Sequence, residues 1–122
     1  MYSIETDRQT GLVTLAFSGV MDQDPEEFFL ELTTAIESVR MASGDWDLLV
    51  DFGDTSVMSQ DRAQNTNRIF QWCIAKGIRR CACVTSGITQ KMQMQRVTDR
   101  SEKMRYFEAR NEAEDWLAKE AA

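Results

Sequence analysis

The sequence predicts a single α/β domain in which a mixed central sheet of four to five strands is covered by about four helices. Three observations carry this expectation. The chain has 122 residues, room for one domain and one hydrophobic core. Short apolar runs suited to strands alternate with stretches whose apolar residues recur at helical spacing. Caps and turn residues separate these segments, and neither a repeat nor a linker interrupts them, so residues 1–122 form one unit.

Residues 2–5 and 12–18 read as strands joined by a polar turn ending at Gly11. In the second, Val13, Leu15 and Phe17 alternate with Thr14 and Ala16, the period of a strand with one buried face. The first helix starts cleanly, with Asp24 as N-cap, Pro25 at the first helical position and Glu27 completing a capping box. Phe29, Leu32, Ile36 and Val39 mark its apolar face to about Arg40, and Ser43-Gly44-Asp45 ends it. Residues 46–52 are short, strongly apolar and bounded by turn residues, as expected of a central parallel strand. A loop over 53–58 leads to a second helix at 59–76, closed by Gly77 as a left-handed cap with Ile78 folding back. Residues 79–85 form the next buried strand. A third helix over 89–101 has a thin apolar face of Met92, Met94 and Val97. A short strand at 104–108 precedes a last helix, capped by Asn111 with Glu114 three residues on, that buries Ala113, Trp116 and Leu117.

Composition narrows the function classes. Hydrophobic residues at 43% and charged residues at 28% are those of a globular chain. No apolar run approaches the ~18 residues of a membrane span, and residues 1–5 lack the basic and apolar regions of a signal peptide, so a cytoplasmic protein is expected. Three cysteines, Cys73, Cys81 and Cys83, are an odd number and argue against a disulfide framework. The chain has no histidine, which removes the commonest general base, the imidazole metal ligand and every Ser-His or Cys-His pair. A non-enzymatic protein without a cofactor is the expectation.

Several residue groups have side chains suited to chemistry. Asp51, Asp54 and Asp61 lie at or past the C-terminal end of the central strand, where α/β sheets bind ligands; they suit either Mg²⁺ or ordinary turn-making and capping. Asp51-Phe52-Gly53 spells the metal-binding tripeptide of protein kinases, but the chain lacks their Gly-rich loop and His-Arg-Asp motif. Thr55, Ser56 and Ser59 are loop hydroxyls, either phosphosites at a helix N-terminus or caps. Cys81 and Cys83 share one strand face and, with Cys73, suit core packing more readily than zinc, for which a fourth ligand is missing. Met92 and Met94 are either core filler or the wall of an adaptable groove.

Charge is strongly segregated. Residues 1–61 hold two basic and 13 acidic side chains, residues 62–105 hold ten basic and two acidic ones, and the whole chain is −6. Such a field steers an anionic partner, or else the basic stretch is neutralised within the fold. Nucleic acid is not expected, because the chain is acidic overall and its basic helices lack interleaved aromatics.

The element order, together with residues 15–22, residues 48–61, Phe107, Glu112-Ala113 and Trp116-Leu117, resembles the SpoIIAA-like branch of the STAS superfamily, small bacterial proteins, over nearly the whole chain. In the anti-sigma antagonists of that superfamily, Met-Asp-Ser-Ser-Gly opens a helix and the second serine is phosphorylated to switch partner binding. Met58-Ser59-Gln60-Asp61-Arg62 matches that stretch, with Asp61 in place of the phosphorylated serine and Arg62 in place of the glycine. Other relatives in the branch are compared with lipid-exchange domains of the CRAL-TRIO type, which implies an apolar ligand.

The resulting expectation is a regulatory or protein-interaction module working through the 53–61 loop and the following helix, with Asp54, Thr55, Ser56, Ser59, Asp61 and Arg62 as its contacts. The alternative is a carrier or sensor of a small apolar or amphipathic anion beneath the helix at about 89–101, with Arg68, Met92, Met94, Arg96 and Arg100 as contacts. A homodimer is compatible with either.

Overall fold

In a computed structural model, which describes residues 1–19, 23–53, 55, 58–98 and 101–119, the elements run β1 (Tyr2–Asp7), β2 (Leu12–Phe17), α1 (Pro25–Ser43), β3 (Trp46–Asp51), α2 (Gln60–Ala75), β4 (Ile78–Val84), α3 (Ile88–Val97), β5 (Met104–Phe107) and α4 (Arg110–Ala118). The five strands lie side by side in sequence order. β1 pairs antiparallel with β2 through the tight turn at 8–11, and every later pairing is parallel. Because the sheet grows in one direction, three successive crossovers of one hand deposit α1, α2 and α3 on the same face.

The core follows from that arrangement. Val13, Leu15 and Phe17 of β2, Leu48 and Val50 of β3 and Cys81 and Cys83 of β4 point into the main core, where they meet Leu32 and Ile36 of α1, Phe70 and Cys73 of α2 and Met94 of α3. The opposite face is covered by α4, whose Ala113 and Leu117 pack on Leu49, Ala82 and Val84.

Two expectations change. Phe28, not Phe29, heads the buried stripe of α1, because Phe28, Leu32, Ile36 and Val39 share one face at helical spacing. Phe29, one residue round the helix, lies edge-on to Trp72 and beneath the Arg68 guanidinium. α4 begins at Arg110, with Ala109 at the N-cap position and no side-chain cap, so Asn111 is an exposed first-turn residue.

The other end of α4 holds it down instead. The pairing of β3 with β4 shifts register between Trp46 and Leu48, so Arg79 and Arg80 both face Asp47. The buried Asp47 carboxylate accepts from Arg79 Nε at 3.0 Å and from the Arg80 amide at 3.1 Å. Arg79 also donates to the Leu117 carbonyl at 2.9 Å, and Arg80 to the Trp116 carbonyl at 2.9 Å. Two cations thus satisfy the orphan carbonyls at the negative end of α4.

Candidate functional site

Asp51 ends β3, and its carboxylate accepts the Gly53 amide at 2.9 Å, turning the chain outward. Thr55 is buried and donates to the Phe52 carbonyl at 2.8 Å. Ser59 caps α2, its Oγ accepting the Arg62 amide at 3.3 Å, and Asp61 follows in the first turn. Ser59 and Asp61 are exposed. Asp54 and Ser56 lie outside the described residues, as does Arg100.

Glutamines anchor this loop. Gln90 donates to the Thr55 carbonyl at 3.0 Å and accepts the Ser86 amide at 2.8 Å. Gln93 pairs with both backbone groups of Met58, accepting its N–H at 2.8 Å and donating to its carbonyl at 2.7 Å. The side chain behaves as one rung of a strand ladder. The buried face of α3 is therefore Gln90, Met94 and Val97, and Met92 stands 52% exposed on the other side. Met92 therefore does not belong to the apolar face expected of Met92, Met94 and Val97. The spacing of Gln90, Gln93, Met94 and Val97 is helical, and amides in apolar places were the overlooked signal.

Between α1, α2 and the sheet lies a cavity of about 70 Å³. Its walls are apolar: Leu15, Phe17, Leu48 and Val50 from the sheet, Phe28 and Leu32 from α1, Ile69 and Phe70 from α2, and Met94 from α3. Phe17 stacks on Phe52 at 5.5 Å and packs against Phe28 at 5.8 Å, so three aromatic rings form one end. The lining residues that reach solvent are Gln23, Pro25, Arg62, Asn65 and Arg68, which places the mouth between the start of α1 and the first turns of α2. Arg62 donates across that mouth to the Gln23 carbonyl at 3.3 Å. The Gln23 side-chain oxygen is buried there with no hydrogen-bond partner among the described residues. Arg68 lies 3.7 Å from Glu26 and 5.0 Å from the Phe29 ring centre. The cavity therefore joins Arg62, Arg68 and Met94 but not Met92 or Arg96, and it sits under α1 and α2 more than under α3.

The remaining candidates separate. Cys73, Cys81 and Cys83 are free and buried; burial pushes the Cys73 thiol up to about 12, and Cys81 and Cys83 well above their ordinary range. They are core volume, kept as neutral thiols. Among the described residues no group of three Cys, Asp or Glu side chains is placed to hold a metal ion. Asp51 instead turns toward Gly53 and, at 3.7 Å, Arg110.

Much of the basic segment is spent inside the fold. Arg79 and Arg80 hold α4, Lys103 donates to the Ile78 carbonyl at 2.8 Å, Lys76 lies 3.8 Å from Glu37, and Arg105 stacks on Trp116. No helix of the described residues is long and apolar enough to cross a membrane. In comparisons with known proteins, no family model, curated protein or solved structure matches the chain.

Proposed function

We propose that this chain is a non-enzymatic binding protein for a small amphipathic anion, a carrier or sensor, with the ligand's apolar part in the cavity and its acidic head at Arg62. The observation that carries the reading is the contrast between the two ends of that cavity. Its interior is aliphatic and aromatic, while its mouth holds two guanidinium groups and a buried carbonyl oxygen without a donor. An apolar space is favourable for hydrocarbon and poor for water, and a guanidinium fork suits a carboxylate. At about 70 Å³ the space is roughly half of the ~150 Å³ engineered cavity that admits benzene. An acid of propionate size matches this space, and a hydroxyl on its short chain would supply the donor that Gln23 lacks. The apolar ligand implied by the STAS resemblance belongs to the same proposal.

The test is a backbone amide NMR titration with propionate. Saturable shifts centred on Phe28, Arg62, Ile69 and Met94 are expected. Shifts that are absent, or that scatter over the surface without saturating, refute the reading.

A second reading, regulation through the 53–61 loop, is favoured by one observation: Ser59 presents an exposed hydroxyl at the N-terminus of α2. A phosphate there gains from the free amides of the first turn and loses against neighbouring Asp61. Intact-mass measurement of protein from its native host tests this reading: a phosphate adduct localised to Ser59 supports it, and unmodified Ser59 under all growth conditions counts against it.

A further inference from the structure

α3 carries a second face that the cavity does not use. Ile88, Met92 and Arg96 are four residues apart and share one side, with Lys91 beside them, opposite the buried Gln90, Met94 and Val97. Ile88 is 77% and Met92 52% exposed, one turn apart. The Lys91 and Arg96 side chains have no ion pair or hydrogen bond among the described residues. The helix has no acidic residue, although the chain carries −6 overall. Next to it a shallow groove between α3 and the edge strand β5 is lined by Lys91, Ser101, Arg105 and Tyr106. Glu102 is the one acidic side chain among the described residues of 86–107. The acidic α1 packs over β1 and β2 at the far edge of the sheet, and the acidic residues of α4 lie on the sheet face opposite α3.

We infer that the α3 and β5 edge docks on the surface of an anionic membrane. Ile88 and Met92 enter the acyl boundary, and Lys91 and Arg96 face the headgroup phosphates. Exposed aliphatic side chains interleaved with unpaired cations on one helical face match the interfacial binding mode, in which apolar burial and attraction to acidic lipid act together. The acidic α1 on the far edge is repelled by the same surface and fixes the orientation. The inference does not rest on the cavity.

The experiment is co-sedimentation of the full chain with vesicles of phosphatidylglycerol and, separately, of phosphatidylcholine, with no small ligand present. Binding to the phosphatidylglycerol vesicles that falls with added salt is expected, with little binding to phosphatidylcholine. The double variant Lys91→Gln with Arg96→Gln lowers the partition coefficient about 25-fold, and Ile88→Ser lowers it about tenfold. These side chains are exposed, so the variants keep the wild-type circular dichroism melt, which is checked first. No association with either vesicle overturns the inference and leaves the face to an acidic protein partner. Binding unchanged by the variants overturns it as well.

Discussion

Replacing Gln93 by leucine isolates the contact that fixes α3 to the loop before α2. The leucine keeps a good helix former at the position and a similar side-chain volume, but it removes the amide that pairs with both backbone groups of Met58, at 2.8 and 2.7 Å. Each bond has a net worth of about 1 kcal/mol, and a partner left buried and unpaired costs ~1–3 kcal/mol. The Met58 bonds are only partly buried, so water reaches the orphaned groups and the low end of that range applies. The expected loss is about 2 kcal/mol, which in a chain of 122 residues lowers the melting temperature by roughly 8 °C. Urea unfolding followed by far-ultraviolet circular dichroism gives the free energy, with Gln95→Leu as the control. The Gln95 side chain lies on the same helix with no hydrogen bond among the described residues, so its replacement should change stability by less than about 0.5 kcal/mol. If the two variants unfold at the same urea concentration, the clamp contributes nothing and the account of α3 fails.

Other regions give further expectations. Gly11 has φ +75°, and a Cβ there would come within 2.5 Å of the Asp45 carbonyl oxygen, so Gly11→Ala should cost about 2 kcal/mol or more in the same urea assay. Asp47→Ala strands the Arg79 guanidinium beside the end of α4 and should cost ~3 kcal/mol, read by urea unfolding and by loss of amide protection in α4. The Tyr2 hydroxyl donates to Glu31, which with partial burial raises its pKa to about 12. The folded value lies above the unfolded one, so this stabilisation is complete below about pH 10 and is lost as the pH rises through about 12. Tyr2→Phe should therefore flatten that part of the stability profile. Cys73, Cys81 and Cys83 should resist a thiol reagent in the native protein and react on unfolding; rapid native labelling would contradict their assignment to the core.

What was legible in the sequence was what local rules write. Val13, Leu15 and Phe17 alternate, Asp24 and Pro25 announce α1, and Gly77 ends α2, so the element order and mixed sheet could be read residue by residue. Phe28 and Phe29 were harder to tell apart, because adjacent aromatics both fit a loosely counted stripe and only the packing on the sheet selects one. The N-terminus of α4 was missed because Asn111 has the chemistry of a cap. The helix is fixed from its other end, by Arg79 and Arg80, about 40 residues away. The same two arginines explain part of the charge segregation, which no local pattern distinguishes from a docking surface. The sequence places an apolar ligand beneath the helix at about 89–101, whereas the cavity lies between α1, α2 and the sheet and shares only Arg68 and Met94 with that set. Its position depends on the gap between α1 and α2, a tertiary quantity. The anchoring roles of Gln90 and Gln93 are not legible in the sequence, because a buried amide is recognisable only once its backbone partners are in place.

The central claim, that the cavity between α1 and α2 is the binding site, is tested most directly by filling it. Cys81 lies on its floor, fully buried, and leucine there occupies the vacant space from the sheet side without touching the mouth. Isothermal titration with propionate should show saturable binding to the wild type and loss of about tenfold or more in affinity in Cys81→Leu, with the folded state retained. Equal propionate binding by a folded Cys81→Leu variant, or none by the wild type, would contradict the account.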